Sequence, residues 1–120
     1  MAHLTVSKRT SGPVVILDLE GSLTLGAGST VLRGAVTELL EGGTRKILLD
    51  LTGVNRMDSS GVGELVSAYA RTRRFDGELK LSNLAAHVHG LLEMTKLVTV
   101  FETFANEADA LESFGSELRG

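Results

Sequence analysis

The sequence predicts a single α/β domain on a mixed, mostly parallel sheet, and three observations lead there. The first is a hairpin pattern near the start: Leu4-Thr5-Val6-Ser7-Lys8 alternates apolar and polar residues, Val14-Val15-Ile16-Leu17-Asp18-Leu19-Glu20 is β-branched and apolar, and Ser11-Gly12-Pro13 stands between them. The second is a steady alternation of helical stripes and short apolar runs after that hairpin. The third is Ile47-Leu48-Leu49-Asp50-Leu51, a nearly unbroken apolar run that suits a strand covered on both faces. The chain of 120 residues has the length of one domain and is large enough to bury a real core.

In chain order, Leu4 to Lys8 reads as an edge strand and Val14 to Glu20 as its antiparallel partner. Ser29 to Glu41 reads as the first helix, because Val31, Leu32, Ala35, Val36, Leu39 and Leu40 share one stripe, and Gly42-Gly43 ends it. Ile47 to Leu51 follows as the buried strand. A second helix is expected from about Gly61 to Arg74, with Val62, Leu65, Val66 and Tyr69 on one face. Leu79-Lys80-Leu81 is a further strand, and Ala85 to Met94 a short helix carrying Val88, Leu91 and Leu92. Leu97-Val98-Thr99-Val100-Phe101 reads as the last strand. The final helix is expected over Asn106 to Phe114, capped by Asn106, with Ala108, Leu111 and Phe114 inward and Glu107 and Asp109 suiting its first turn. Gly115 to Gly120 is expected to be a frayed tail. That makes about five strands and about four helices in one domain.

Composition removes several function classes. The chain has no cysteine, which excludes disulfides, cysteine-ligated zinc and thiol catalysis. Its net charge is −3, and it has no Trp and one Tyr, so neither an electrostatic hold on nucleic acid or anionic lipid nor base stacking is expected. Arg71-Thr72-Arg73-Arg74 is the sole basic cluster, and it falls where cations favour a helix C-terminus. No apolar run approaches the roughly 18–20 residues of a membrane span, and Met1 to Thr10 lacks the apolar stretch of a signal peptide. The expected setting is the cytoplasm, with no membrane partner and no direct nucleic-acid partner.

The segment richest in chemistry is Val54-Asn55-Arg56-Met57-Asp58-Ser59-Ser60-Gly61-Val62-Gly63, which joins the most buried strand to an amphipathic helix. Asp58, Ser59 and Ser60 are all good N-cap residues, and Gly61 and Gly63 leave the first turn bare. Two readings fit: a plain cap with small residues for packing, or a serine at a helix N-terminus able to take a phosphate. Spacing alone leaves both open. Other motifs fail. Gly21 and Gly26 have the spacing of a phosphate-binding loop, but Ala27-Gly28 stand where Lys-Ser/Thr is required. A serine hydrolase lacks its Gly-x-Ser-x-Gly elbow, and the available bases, His3, His87 and His89, offer no evident pairing with Ser59. His87 and His89 lack a third metal ligand and read as surface residues of a short helix. No catalytic residue, cofactor or metal is expected.

Asp58-Ser59-Ser60-Gly61-Val62-Gly63, placed after Ile47-Leu48-Leu49-Asp50-Leu51, resembles the signature of STAS domains, and more narrowly of bacterial anti-sigma-factor antagonists. Gly21-Ser22-Leu23 is similar to the family's loop after the second strand, and Leu91-Leu92-Glu93-Met94-Thr95-Lys96-Leu97 to its segment near the C-terminus. The resemblance implies a binding switch and no enzyme. It implies Ser59 as the residue phosphorylated by an anti-sigma serine kinase, which holds the ATP. The unphosphorylated protein would bind that kinase and free a sigma factor, and a serine phosphatase would reset it. The same resemblance assigns Asp58, Ser59, Ser60, Gly61, Val62, Gly63, Ser22 and Thr24 to the partner contact. Thr24 departs from the pattern, since well-studied members carry an aspartate there. A STAS scaffold that is not phosphorylated is the alternative.

Overall fold

In the computed structural model the described residues are 3–26, 28–97 and 99–119, with side chains described as far as residue 115. Nine elements follow in order: β1 (Leu4–Ser11), β2 (Val14–Leu23), α1 (Ser29–Glu41), β3 (Lys46–Met57), α2 (Ser59–Arg74), β4 (Glu78–Ser82), α3 (Ala86–Met94), β5 (Thr103–Phe104) and α4 (Glu107–Arg119). The strands form one sheet in the order β1-β2-β3-β4-β5. β1 and β2 are antiparallel, and the remaining pairs are parallel. This is the mixed sheet that the sequence predicts.

Alternation along the strands sorts the core into two layers. On β3, Ile47, Leu49 and Leu51 join the larger cluster, with Leu32, Val36, Leu65, Ala68, Val88 and Leu92 from α1, α2 and α3. Leu48 points the other way, where Val14, Ile16, Ala110 and Phe114 place α4 on the opposite face. All four β3 leucine and isoleucine side chains are fully buried, as a strand covered on both faces requires. α1 closes with Gly43 at φ 101, where the Thr44 N–H reaches the Leu39 carbonyl and the Gly43 N–H that of Leu40, a Schellman arrangement. Lys80 lies buried beneath α4, its Nζ 4.6 Å from the Phe114 ring centre and donating to Ser113 Oγ.

Three expectations need correction. The strand expected over Ile47 to Leu51 is longer: β3 runs on to Met57, because the end of β2 pairs with it through Gly21–Val54, Ser22–Arg56 and Leu23–Met57. Pairing with a neighbour carries residues of weak strand character into the ladder. The strand expected over 97–101 is absent among its described residues, and Val98 lies outside them. There Lys96 takes φ 61 and the Leu97 N–H returns to the Leu92 carbonyl, so this backbone finishes α3 and turns. Leu97, Val100 and Phe101 still pack in the core, Phe101 edge-to-face on Tyr69 at 5.6 Å. The short β5 comes later, at Thr103–Phe104. Ala108 is exposed and Ala110 takes the inward place. Two residues turn a helix by about 200°, so the two alanines cannot share a face. The backbone of α4 runs to Arg119.

Candidate partner-binding site

The site grows from one residue. Asp58 is the sole link between β3 and α2, in extended conformation (φ −117, ψ −173). Its Oδ1 accepts the Gly61 N–H at 3.0 Å, which caps the helix. Its Oδ2 accepts the Leu25 N–H at 3.2 Å, which ties the β2–α1 connection to the start of α2. The Gly61 N–H holds this carboxyl below its ordinary range, against the opposing effect of burial, and the Leu25 N–H adds to the lowering. The aspartate next to the candidate acceptor is therefore fixed by backbone donors on α2 and on the β2–α1 connection.

Ser59 is exposed in the first helical position, and Ser60 behind it is half-buried. Gly61 is buried: a Cβ there would lie 2.0 Å from the Leu23 carbonyl oxygen, so glycine lets α2 press against the end of β2. Gly63 differs, for a Cβ there meets nothing within 4 Å and the residue faces solvent. Val62 belongs to the core, and Ser22 is buried with its N–H donated to the His3 carbonyl. Of the residues expected at a contact surface, Ser59 and Gly63 are thus fully presented. Thr24, Asp58 and Ser60 are partly presented, and Ser22, Gly61 and Val62 shape the surface from behind.

Asp58, the residue before the acceptor, lines an open hollow of about 510 Å³ together with Thr24, Leu25, Arg56, Met57 and His87. It sits at the carboxyl end of β2 and β3, where α/β sheets commonly meet ligands and partners. Leu25 on its rim is 78% exposed, a large apolar side chain in water. Arg56 and His87 were not assigned to the site by sequence reasoning. The extension of β3 delivers the first and the first turn of α3 delivers the second. No local motif signals that meeting. His89, by contrast, faces Glu93 one turn along α3.

The structure also gathers carboxylates elsewhere. Asp18, Asp50 and Glu107 bring oxygens within 4.8 Å of one another on the α4 side of the sheet. The Arg9 guanidinium occupies their midst, bonded to Asp18 and Glu107 and 4.0 Å from Asp50. The chain thereby supplies the counter-charge that a metal ion would bring.

A family model described as the STAS domain matches residues 5–110. A curated relative, the Anti-sigma F factor antagonist of Paenibacillus polymyxa, is 34% identical over 65 residues. That stretch covers 54% of this chain and 56% of the relative, little more than half of each. Among solved structures, TM1081 of Thermotoga maritima superposes with a TM-score of 0.80 at 23% identity, over 90% of this chain and 92% of that one. The anti-sigma factor antagonist SpoIIAA in its unphosphorylated form gives 0.78 at 20% identity, over 93% and 97%. Its phosphorylated form from Bacillus gives 0.71 at 20% identity, over 92% and 99%. At these identities the superpositions establish the fold. With the family model spanning nearly the whole described sheet and its helices, the chain belongs to the STAS domain family.

Proposed function

We propose that this protein is a cytoplasmic anti-sigma-factor antagonist that binds an anti-sigma serine kinase until that kinase phosphorylates Ser59. The observation that carries the reading is Ser59 itself, exposed at the first position of α2 beside an aspartate already engaged by backbone donors. The antagonist relative and the two phosphorylation states of SpoIIAA support it. The kinase supplies ATP: the bond from the γ-phosphorus to the ADP oxygen breaks, the Ser59 Oγ–phosphorus bond forms, and the hydroxyl proton leaves. A serine phosphatase reverses the state by hydrolysis. The protein itself performs no turnover in this scheme.

The energetics suit a switch. A phosphoserine adds about −1.5 to −2 charge. One like-charge pair at about 5 Å in an effective dielectric near 20 costs roughly 3 kcal/mol. The helix N-terminus returns about 0.3–2 kcal/mol. In the free protein water solvates the phosphate, so the fold survives. Within a closed interface that solvation is lost and the partner leaves without any refolding.

Intact mass with fragment mapping of the protein from its native host tests the reading. A phosphate on Ser59 is expected. In binding assays Ser59→Ala keeps the partner and blocks labelling, while Ser59→Asp weakens binding at least about tenfold, or 1.4 kcal/mol. A Ser59 that stays unmodified through growth and stress overturns the switch in favour of a STAS scaffold.

A further inference from the structure

We propose that Arg56 and His87 form a receiving site for the phosphomonoester dianion of phosphorylated Ser59, so that the modification folds into the hollow and closes it. This rests on the reading of Ser59 as acceptor and adds what the phosphate does once it is there.

Three observations point this way. Arg56 from the end of β3 and His87 from the first turn of α3 line one hollow with Asp58, and Ser59 follows Asp58 directly. Among the described residues neither the Arg56 nor the His87 side chain, both of them exposed, makes a hydrogen bond or ion pair, whereas Arg9, Arg33 and Lys46 each hold a carboxylate. The one carboxylate lining the hollow, Asp58, makes no ion pair with that guanidinium, and its two oxygens accept the Gly61 and Leu25 N–H groups. Two donors therefore stand without an anion in a hollow whose wall includes the residue just before the one where an anion would be placed.

The chemistry fits a phosphate. An arginine fork matches two phosphate oxygens at once. A histidine donates an N–H in either protonation state, and the Thr24 hydroxyl on the same wall is a further donor. A hollow of about 510 Å³ has room for the group. Once seated, the phosphate takes up room in the hollow that Leu25 and Met57 also line, and a partner loses that recess as well as meeting the new charge.

The test is a phosphorus NMR pH titration of the full chain with phosphoserine built in at position 59 during translation, which needs no kinase. The second phosphate pKa, ordinarily about 6, is expected to be lowered. Arg56→Gln should return it upward by about 1 unit, the low end for an opposite charge in direct contact. His87→Ala should give a smaller rise, and Arg56→Lys, which keeps the charge but loses the fork, an intermediate one. Arg73→Gln removes the same charge from the exposed far end of α2 and should change nothing. Equal values in the wild type, Arg56→Gln and Arg73→Gln overturn the proposal. So does an Arg56→Gln variant that weakens partner binding in the unphosphorylated protein while the titration stays unmoved, for the hollow then serves an anionic group of the partner. If the titration reports Arg56 but the phosphoprotein holds its partner undiminished, the receiving site stands and the switch falls. If the partner leaves while the phosphate is blind to Arg56, the switch stands and the receiving site falls.

Discussion

Asp58 joins a charge, a helix cap and a loop tether in one side chain. Its two backbone acceptor bonds favour the carboxylate, so its folded-state pKa lies below the ordinary 3.8. The sign follows from linkage. The stabilisation is fully present above the unfolded value and is lost as the pH falls through the folded one. Asp58→Ala removes cap and tether together and should lower stability at pH 7 by about 1–2 kcal/mol. Asp58→Asn keeps a neutral acceptor and should cost less. Urea denaturation of the wild type and Asp58→Asn across pH checks the assignment: the gap should narrow as the pH drops below the carboxylate range. A gap that widens there would contradict a lowered pKa. Hydrogen exchange at the Leu25 amide should accelerate in Asp58→Ala, since that amide loses its acceptor. If partner binding falls with it, the tether is what holds the exposed Leu25 in position.

At the start of α2 two glycines two residues apart do opposite work. Gly61 faces the Leu23 carbonyl with no room for a methyl group, so Gly61→Ala must push α2 away from β2, at about 1–3 kcal/mol. Gly63 has open space in a helix interior, so Gly63→Ala should stabilise the fold by roughly 0.5–1 kcal/mol. Thermal melts separate the pair. If a partner lies against this turn, Gly63→Ala should weaken binding while raising the melting temperature, a result that a purely structural glycine would not give. The helices were legible in the sequence because each has a one-sided apolar stripe: α1 is found over the expected Ser29–Glu41, and α2 and α3 within two residues of theirs. The strand ends were not. Gly53 and Arg56 enter β3 through pairing with β2, and Leu97 is turned out of a strand by the end of α3, so distant contacts outweighed local character. The acceptor segment was readable because its residues are contiguous. Arg56 and His87 meet only across the folded sheet, which no spacing rule records.

Across the molecule, among the described residues, α1, α2 and α3 cover one face of the sheet while α4 covers the other, and its apolar seam is short: Val14, Ile16 and Leu48 against Ala110 and Phe114, with Leu111 and Phe104 at the margin. Beyond that seam the same face turns polar. Asp18 and Asp50 sit side by side in register on β2 and β3, an unfavourable pairing of like charges. Asp50 is steadied by Thr52 and Asn83, and Arg9 bridges Asp18 on β2 to Glu107 at the start of α4. Those bonds raise the pKa of Arg9 further above its ordinary range, so its charge persists at any pH at which the protein is folded. One side chain thus fastens the edge strand β1, its neighbour β2 and the C-terminal helix. The guanidinium is half exposed, which weakens each bond through screening. Removing it nevertheless leaves three carboxylates within 4.8 Å with no cation among them. Arg9→Ala should therefore lower stability by about 1–3 kcal/mol, and the loss should shrink as salt is added. Arg9→Lys keeps one charge but not the fork, and should fall between. Because the apolar seam under α4 is small, the damage should concentrate there: amides of α4 should exchange faster in Arg9→Ala while those of α2 keep their protection. Uniform loss across both helices would mean that the sheet, and not the α4 attachment, is what Arg9 sustains. A partner that contacts the Ser59 face should bind Arg9→Ala with unchanged affinity, since the network lies on the α4 side of the sheet and the acceptor lies at the head of α2.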